Sequence, residues 1–138
     1  LGGLYVSKRE PEAMSASEWK VMRIVWELKS CAARDVYRIT QEEYGWSPGT
    51  TKTFLRRLVD KGHLSTRQVG NCYIYEPVSS ALKSLQKAAD ALMENTLEGT
   101  AAPLVFSMVK KGNLSADDIQ ELRSLLDQYE QTESERKE

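Results

Sequence analysis

A chain of 138 residues with 41% hydrophobic and 28% charged side chains has an ordinary globular balance, long enough for one domain and a short appendage. The net charge of −1 excludes a uniformly basic polyanion binder, and no apolar run approaches the ~20 residues that span a bilayer. Charge is nevertheless uneven. Residues 47–70 carry five bases (Lys52, Arg56, Arg57, Lys61, Arg67) against Asp60, a net +4, whereas residues 115–138 carry eight acids against three bases, a net −5. The middle of the chain is therefore the segment suited to phosphate.

Residues 1–13 read as a flexible polar arm without the apolar stretch of a signal peptide, so a cytoplasmic protein with no membrane insertion is expected. Ser15 and Glu18 form a capping-box pattern that opens a first helix, on which Trp19, Met22 and Trp26 share a stripe widened by Val21, Val25 and Leu28. A second helix spans about 32–43, with Ala33, Val36, Tyr37 and Thr40 inward, and Gly45 stops it. Ser47 and Pro48 cap and open a third helix that runs to Lys61 and ends at Gly62. Its apolar side is Thr51, Phe54, Leu55, Leu58 and Val59; Gly49, Thr53, Arg56, Arg57 and Asp60 lie opposite, flanked by Thr50 and Lys52. Two strands follow, at 64–68 and 72–76, joined through Val69, Gly70 and Asn71 as a tight hairpin, with Tyr73 and Tyr75 read as strand packing. Three helices and a two-stranded ribbon in this order make a winged helix-turn-helix over 14–78. The fold class is thus mainly α with a small β-hairpin wing, followed by C-terminal helices.

The remainder, 79–130, reads as three helices with apolar stripes. They carry Leu82, Leu85, Ala89, Leu92 and Met93 over about 80–97, then Leu104, Val105, Met108 and Val109 over 99–111. The last, capped by Ser115, carries Ile119, Leu122, Leu125, Leu126 and Tyr129. Such faces need a partner, most simply a second copy, so Leu104, Val105, Met108, Ile119, Leu122, Leu125 and Leu126 are the dimerisation candidates. Residues 131–138 form a charged tail, with fraying expected from Glu130 onward.

In a helix-turn-helix the first half of the second helix reaches base edges in the major groove, while its neighbours hold phosphates. Here that half offers Thr50, Lys52 and Thr53, with Arg56 and Arg57 one turn later. The helix start at Ser47 presents free N–H groups to phosphate, and Arg67, Gln68 and Asn71 sit on or beside the wing tip. Double-stranded DNA is the expected partner. Catalysis is not expected: His63 is the only histidine, and no Gly-rich phosphate loop, GxSxG or HExxH is present. Asp117 and Asp118 read as helix N-terminal charges. No cofactor or dedicated metal site is expected, and Cys31 and Cys72, far apart in a cytosolic chain, are expected to be reduced thiols. Two alternatives remain at this level, a protein-binding winged-helix adaptor and a metal-responsive repressor using Cys31, Cys72 and His63.

Three stretches resemble the penicillinase-repressor (BlaI, MecI and CopY) family of Gram-positive regulators: residues 14–26 (MSASEWKVMRIVW), 46–62 (WSPGTTKTFLRRLVDKG) and 114–126 (LSADDIQELRSLL). The resemblance covers residues 14 to about 128. It implies a winged helix that binds a palindromic operator, a helical dimerisation region, and repression released by a signal. The family's DNA-contacting helix corresponds to Ser47, Gly49, Thr50, Lys52, Thr53 and Arg57. Gly49 departs from members that carry a side chain there. The tail lacks the paired CxC motifs of CopY-type members, and thiolates are what Cu(I) selects, so that metal switch is not expected. BlaI and MecI are cut by a sensor protease at an Asn–Phe bond in the fifth helix; the aligned bond here is Ser107–Met108, a departure that leaves the inducing signal open.

Overall fold

The computed structural model describes residues 11–95 and 101–137. Its elements follow the order α1 (Ala16–Leu28), β1 (Cys31–Ala32), α2 (Ala33–Tyr44), α3 (Pro48–Asp60), β2 (Leu64–Val69), β3 (Cys72–Pro77), α4 (Ala81–Asn95), α5 (Ala101–Lys111) and α6 (Ala116–Arg136). The expected extensions of the fourth helix to Leu97 and of the fifth back to Gly99 fall outside the described residues, as does most of the N-terminal arm.

Helix starts are set by their caps. Ser15 Oγ accepts the Glu18 N–H at 3.2 Å while the Glu18 carboxylate accepts the Ser15 N–H at 3.0 Å, closing the box at the head of α1. Gly45, at φ +68°, ends α2 in the left-handed conformation and donates its N–H to the Gln41 and Thr40 carbonyls. Ser47 Oγ accepts the Thr50 N–H at 3.2 Å with Pro48 in the first turn of α3. The three helices enclose a core of Val21, Met22, Ile24, Val25, Val36, Leu55, Leu58 and Val59, closed by Cys31 and Leu64 from the strands. Burying each of the larger members contributes about 1.5–3 kcal/mol.

A pair of buried hydroxyls fixes α3 against α2. Thr40 Oγ1 and Thr51 Oγ1 lie 2.7 Å apart, and Thr40 Oγ1 is also 3.0 Å from the Val36 carbonyl. With Thr40 donating to that carbonyl, Thr51 donates to Thr40, so both hydroxyls are satisfied without water. On the other side of the turn, Trp46 packs between Tyr44 and Phe54 at centroid separations of 4.9 and 5.1 Å. All three tryptophans are partly buried: Trp26 and Trp46 pack against the core, and Trp19 packs on the Trp26 ring. Leu28, expected on that stripe, is exposed at the helix end.

The wing has three strands rather than two, in the order β1-β3-β2. Cys31 pairs with Tyr75 and Ala32 with Ile74, so the short link between α1 and α2 caps the free edge of β3. Two residues carry too little alternation to announce a strand. The chain reaches them through Lys29, at φ +71°, where the Ser30 N–H bonds the Leu28 carbonyl at 2.9 Å in a γ-turn. At the other end, Val69 pairs with Cys72, leaving Gly70 and Asn71 as the two-residue turn. Gly70 sits at φ +63° and Asn71 does not share the positive φ, the pattern of a type II′ hairpin.

The arm is corrected where it is described. The Glu12 N–H bonds the Lys61 carbonyl at 3.0 Å, and Lys61 Nζ donates to the Ala13 carbonyl at 3.1 Å. The His63 ring donates from Nε2 to the Glu12 carbonyl. Residues 12–13 are thus strapped to the end of α3 rather than free. Beneath them lies a buried ion pair that sequence patterning does not reveal: Glu18, 1% exposed, takes Lys61 Nζ at 2.6 Å.

The chain divides into two units, the first ending at Leu92 and the second starting at Met93, within α4 and not ahead of it. In the second unit Ser115 and Asp118 form another capping box, and no residue of α5 or α6 is buried. Val105, Phe106, Met108, Val109, Ile119, Leu125, Leu126 and Tyr129 are all exposed, while Leu104 and Leu122 are half-buried. α6 runs on to Arg136, correcting the expectation that the chain frays from Glu130. Among the described residues no helix is long and apolar enough to cross a membrane.

Candidate nucleic-acid interface

The buried face of α3 is Thr51, Leu55, Leu58 and Val59, so helical geometry turns Lys52, Thr53, Arg56, Arg57 and Asp60 outward. With Gly49 these five line one shallow recess of about 300 Å³. The sequence-derived helix residues are therefore brought together on a single exposed face. Two of their hydroxyls are partly engaged: Thr53 donates to the Gly49 carbonyl at 3.0 Å, and Thr50 lies 3.0 Å from Ser47 Oγ. Each keeps lone pairs and a methyl group for a base edge. Gly49 has open space, since a Cβ there meets only Ser47 Oγ at 3.9 Å. Its lack of a side chain is a chemical difference and not a packing demand.

Electrostatics favour an anion here. Lys52 and Arg56 join no carboxylate in an ion pair among the described residues, and Arg57 has only the Phe54 ring beneath it at 5.8 Å. At the N-terminus of α3 Pro48 has no N–H and Ser47 Oγ takes that of Thr50, which leaves the Gly49 N–H and the positive end of the helix dipole for an anion.

The wing separates its candidates. Paired residues share a face of the sheet, so Thr66 with Tyr75 and Gln68 with Tyr73 lie on one side, and Arg67 with Ile74 on the other. The first side faces α3, where Thr66, Tyr73 and Tyr75 form a trough with Lys52, Arg56, Val59 and Asp60. Arg67 lies on the far side and pairs with Glu76 at 3.4 Å. It is thus placed apart from the α3 cations, whereas Gln68 shares their side and Asn71 sits at the tip. Tyr73, read from the sequence as strand packing, is 52% exposed. The available signal was the two-residue alternation, which puts Tyr73 and Tyr75 on the same side as Gln68.

The three residues of the metal-sensing alternative do not converge. Cys31 is buried, with its thiol 4.0 Å from the Tyr75 carbonyl. Cys72 is exposed at the tip end of β3, and the His63 Nε2 is occupied by the Glu12 carbonyl. Among the described residues no group of three His, Cys, Asp or Glu side chains is placed to share a metal. That alternative is corrected by the register of β3, which carries Cys72 three residues along the strand from the partner of Cys31.

Three helices, a three-stranded wing and an exposed cationic helix face define a DNA-binding winged helix-turn-helix. Comparison with known proteins narrows this. A profile of the penicillinase repressor family matches residues 14–128, and the chain belongs to that family, a group of transcription regulators and not enzymes. It is 30% identical over 113 residues to the methicillin resistance regulatory protein MecI of Mammaliicoccus sciuri, covering 82% of this chain and 92% of the relative. It is 26% identical over 128 residues to the penicillinase repressor of Bacillus licheniformis, covering 93% and 99%. The solved DNA binding domain of the repressor BlaI superposes with a TM-score of 0.50 at 29% identity, over 53% of this chain and 89% of that one.

Proposed function

We propose that this protein represses transcription in the cytoplasm by binding a palindromic operator as a homodimer, residues 14–78 reading DNA and 79–130 pairing the copies. The observation that carries the reading is the exposed face of α3, where Lys52, Thr53, Arg56 and Arg57 project together from a rigidly capped helix. Thr50 and Thr53 reach base edges, and Lys52 reaches a base edge or a phosphate. Arg56 and Arg57 hold phosphates, as do Ser47 and the helix start at the other end of α3, with Gln68 and Asn71 on the wing. The exposed apolar residues of α5 and α6 support a second copy as the partner of the C-terminal helices.

Release is proposed to follow a signal, with cleavage of the Ser107–Met108 bond by a sensor protease as the first mechanism to test. That bond lies in the middle of α5, where the Met108 carbonyl takes the Gly112 N–H at 2.8 Å. A protease must therefore open the helix locally before cutting, which the scarcity of buried contacts there favours.

The test is a gel-shift titration with palindromic and scrambled duplexes across a salt series. A steep fall in affinity with salt and preference for one palindrome is the expected result. Salt-insensitive or absent binding would instead favour the protein-adaptor reading. In the same assay Arg57→Ala is expected to weaken operator binding about tenfold and to flatten the salt dependence. Its sedimentation is expected to match the parent. Unchanged affinity would remove Arg57 from the interface.

A further inference from the structure

The trough between α3 and the wing has two unlike walls. On the helix side Lys52, Arg56 and Asp60 follow one another at four-residue spacing, a single stripe that runs from cationic to anionic toward the C-terminus of α3. On the wing side stand two tyrosine rings, Tyr75 half-buried at the base and Tyr73 about half exposed nearer the tip. The space between is about 300 Å³ and open to solvent. An exposed aromatic on a strand, turned toward two cations that lack carboxylate partners, has little to gain from solvent. It matches a polymer whose repeat alternates an anionic group with an apolar ring.

We infer that this trough seats one sugar–phosphate strand of the DNA, with the Tyr73 ring as its apolar wall and Asp60 as the stop that closes one end. A phosphate between Lys52 and Arg56 is held by both cations, and the adjoining deoxyribose then lies against Tyr73. Asp60, one turn further on, repels the next phosphate and so fixes where along the strand the protein rests. The inference rests on the operator-binding reading and adds to it a residue that strand patterning assigns to packing. It also gives the one acid on the reading face a positioning role.

The experiment is the duplex titration repeated with Tyr73→Ala, Tyr73→Phe and Asp60→Asn. Tyr73→Ala is expected to bind operator about tenfold more weakly, and Tyr73→Phe, which keeps the ring, to stay within about threefold of the parent. Asp60→Asn is expected to bind operator and scrambled duplex alike about threefold more tightly at low salt, because a repulsion toward the backbone carries no sequence information. Circular-dichroism melts establish that each variant is folded. Asp60 is exposed, so its variant tests the trough even where Tyr73→Ala melts early. Parent binding with an indifferent Tyr73→Ala, or with no gain from Asp60→Asn, overturns the trough alone. A parent chain that shifts no duplex overturns the operator reading and this inference together.

Discussion

Leu125→Lys is expected to leave the protein folded, to convert it from dimer to monomer, and to lower operator affinity about a hundredfold. Leu125 is 60% exposed within its own chain, so a charge there costs the isolated fold little. Leu122, on the same helix, is half-buried and its replacement would mix folding with association. In the proposed dimer Leu125 is desolvated against a second copy, and a lysine at its place carries an uncompensated charge into that contact. Operator affinity falls because two linked half-site contacts, each weak alone, become independent events. Linkage of this kind is worth a factor of about 10²–10⁴. Sedimentation velocity and the duplex titration read the two effects separately. A Leu125→Lys chain that still sediments as a dimer would take α6 out of the interface.

Lys61→Met is expected to cost about 2–3 kcal/mol of stability at neutral pH, because it leaves an enclosed carboxylate without its charge partner. The ammonium of Lys61 is the charge partner of a carboxylate that is almost wholly enclosed. Burial by itself raises the Glu18 carboxyl, but the hydrogen bond from Lys61, the bonds from Ser15 and the Lys61 charge together hold it below the ordinary glutamate value of 4.5. A depressed folded-state value means that this stability is present above about pH 4.5 and is lost as pH falls through the folded pKa. The parent should therefore weaken on acidification. Without Lys61 burial dominates and raises the carboxyl, so the difference between parent and variant should be widest at neutral pH, narrow on acidification as the variant's carboxyl protonates first, and close only below the parent's depressed pKa. Pairing Lys61→Met with Glu18→Gln, which keeps a capping side chain at the same position, should recover part of the loss. Thermal melts across pH 4–7 check the sequence, and a pH-independent difference would show that the pair is not the cause.

What the residues announced in advance was whatever is written locally. Ser15, Ser47 and Ser115 each mark a helix start by a side chain three residues from its backbone partner, and Gly45 and Gly70 mark the left-handed turns. The outward face of α3 follows from the inward one at a fixed 100° per residue. What stayed hidden needs contacts distant along the chain. β1 is two residues long and exists only because β3 has a free edge. The strap at residues 12–13 depends on Lys61 and His63, about fifty positions later. The far-side position of Arg67 and the near-side position of Tyr73 were available from alternation. Alternation alone separates their two sides, and which side of a ribbon is covered is settled by the helix beside it.

The wing also differentiates the two thiols in a way that can be used at the bench. Burial, helped by the Asp35 carboxylate, pushes the Cys31 thiol up to about 11, so at neutral pH it offers almost no nucleophilic thiolate. Cys72 is exposed next to the turn, on the side of the ribbon that carries Ile74 and not the side of Tyr73. A maleimide dye therefore has one exposed thiol to react with, next to the turn and on the side of the ribbon away from Tyr73. The natural sequence thus supplies a single-site attachment point for energy-transfer distances between wing and duplex, with no cysteine to be added or removed.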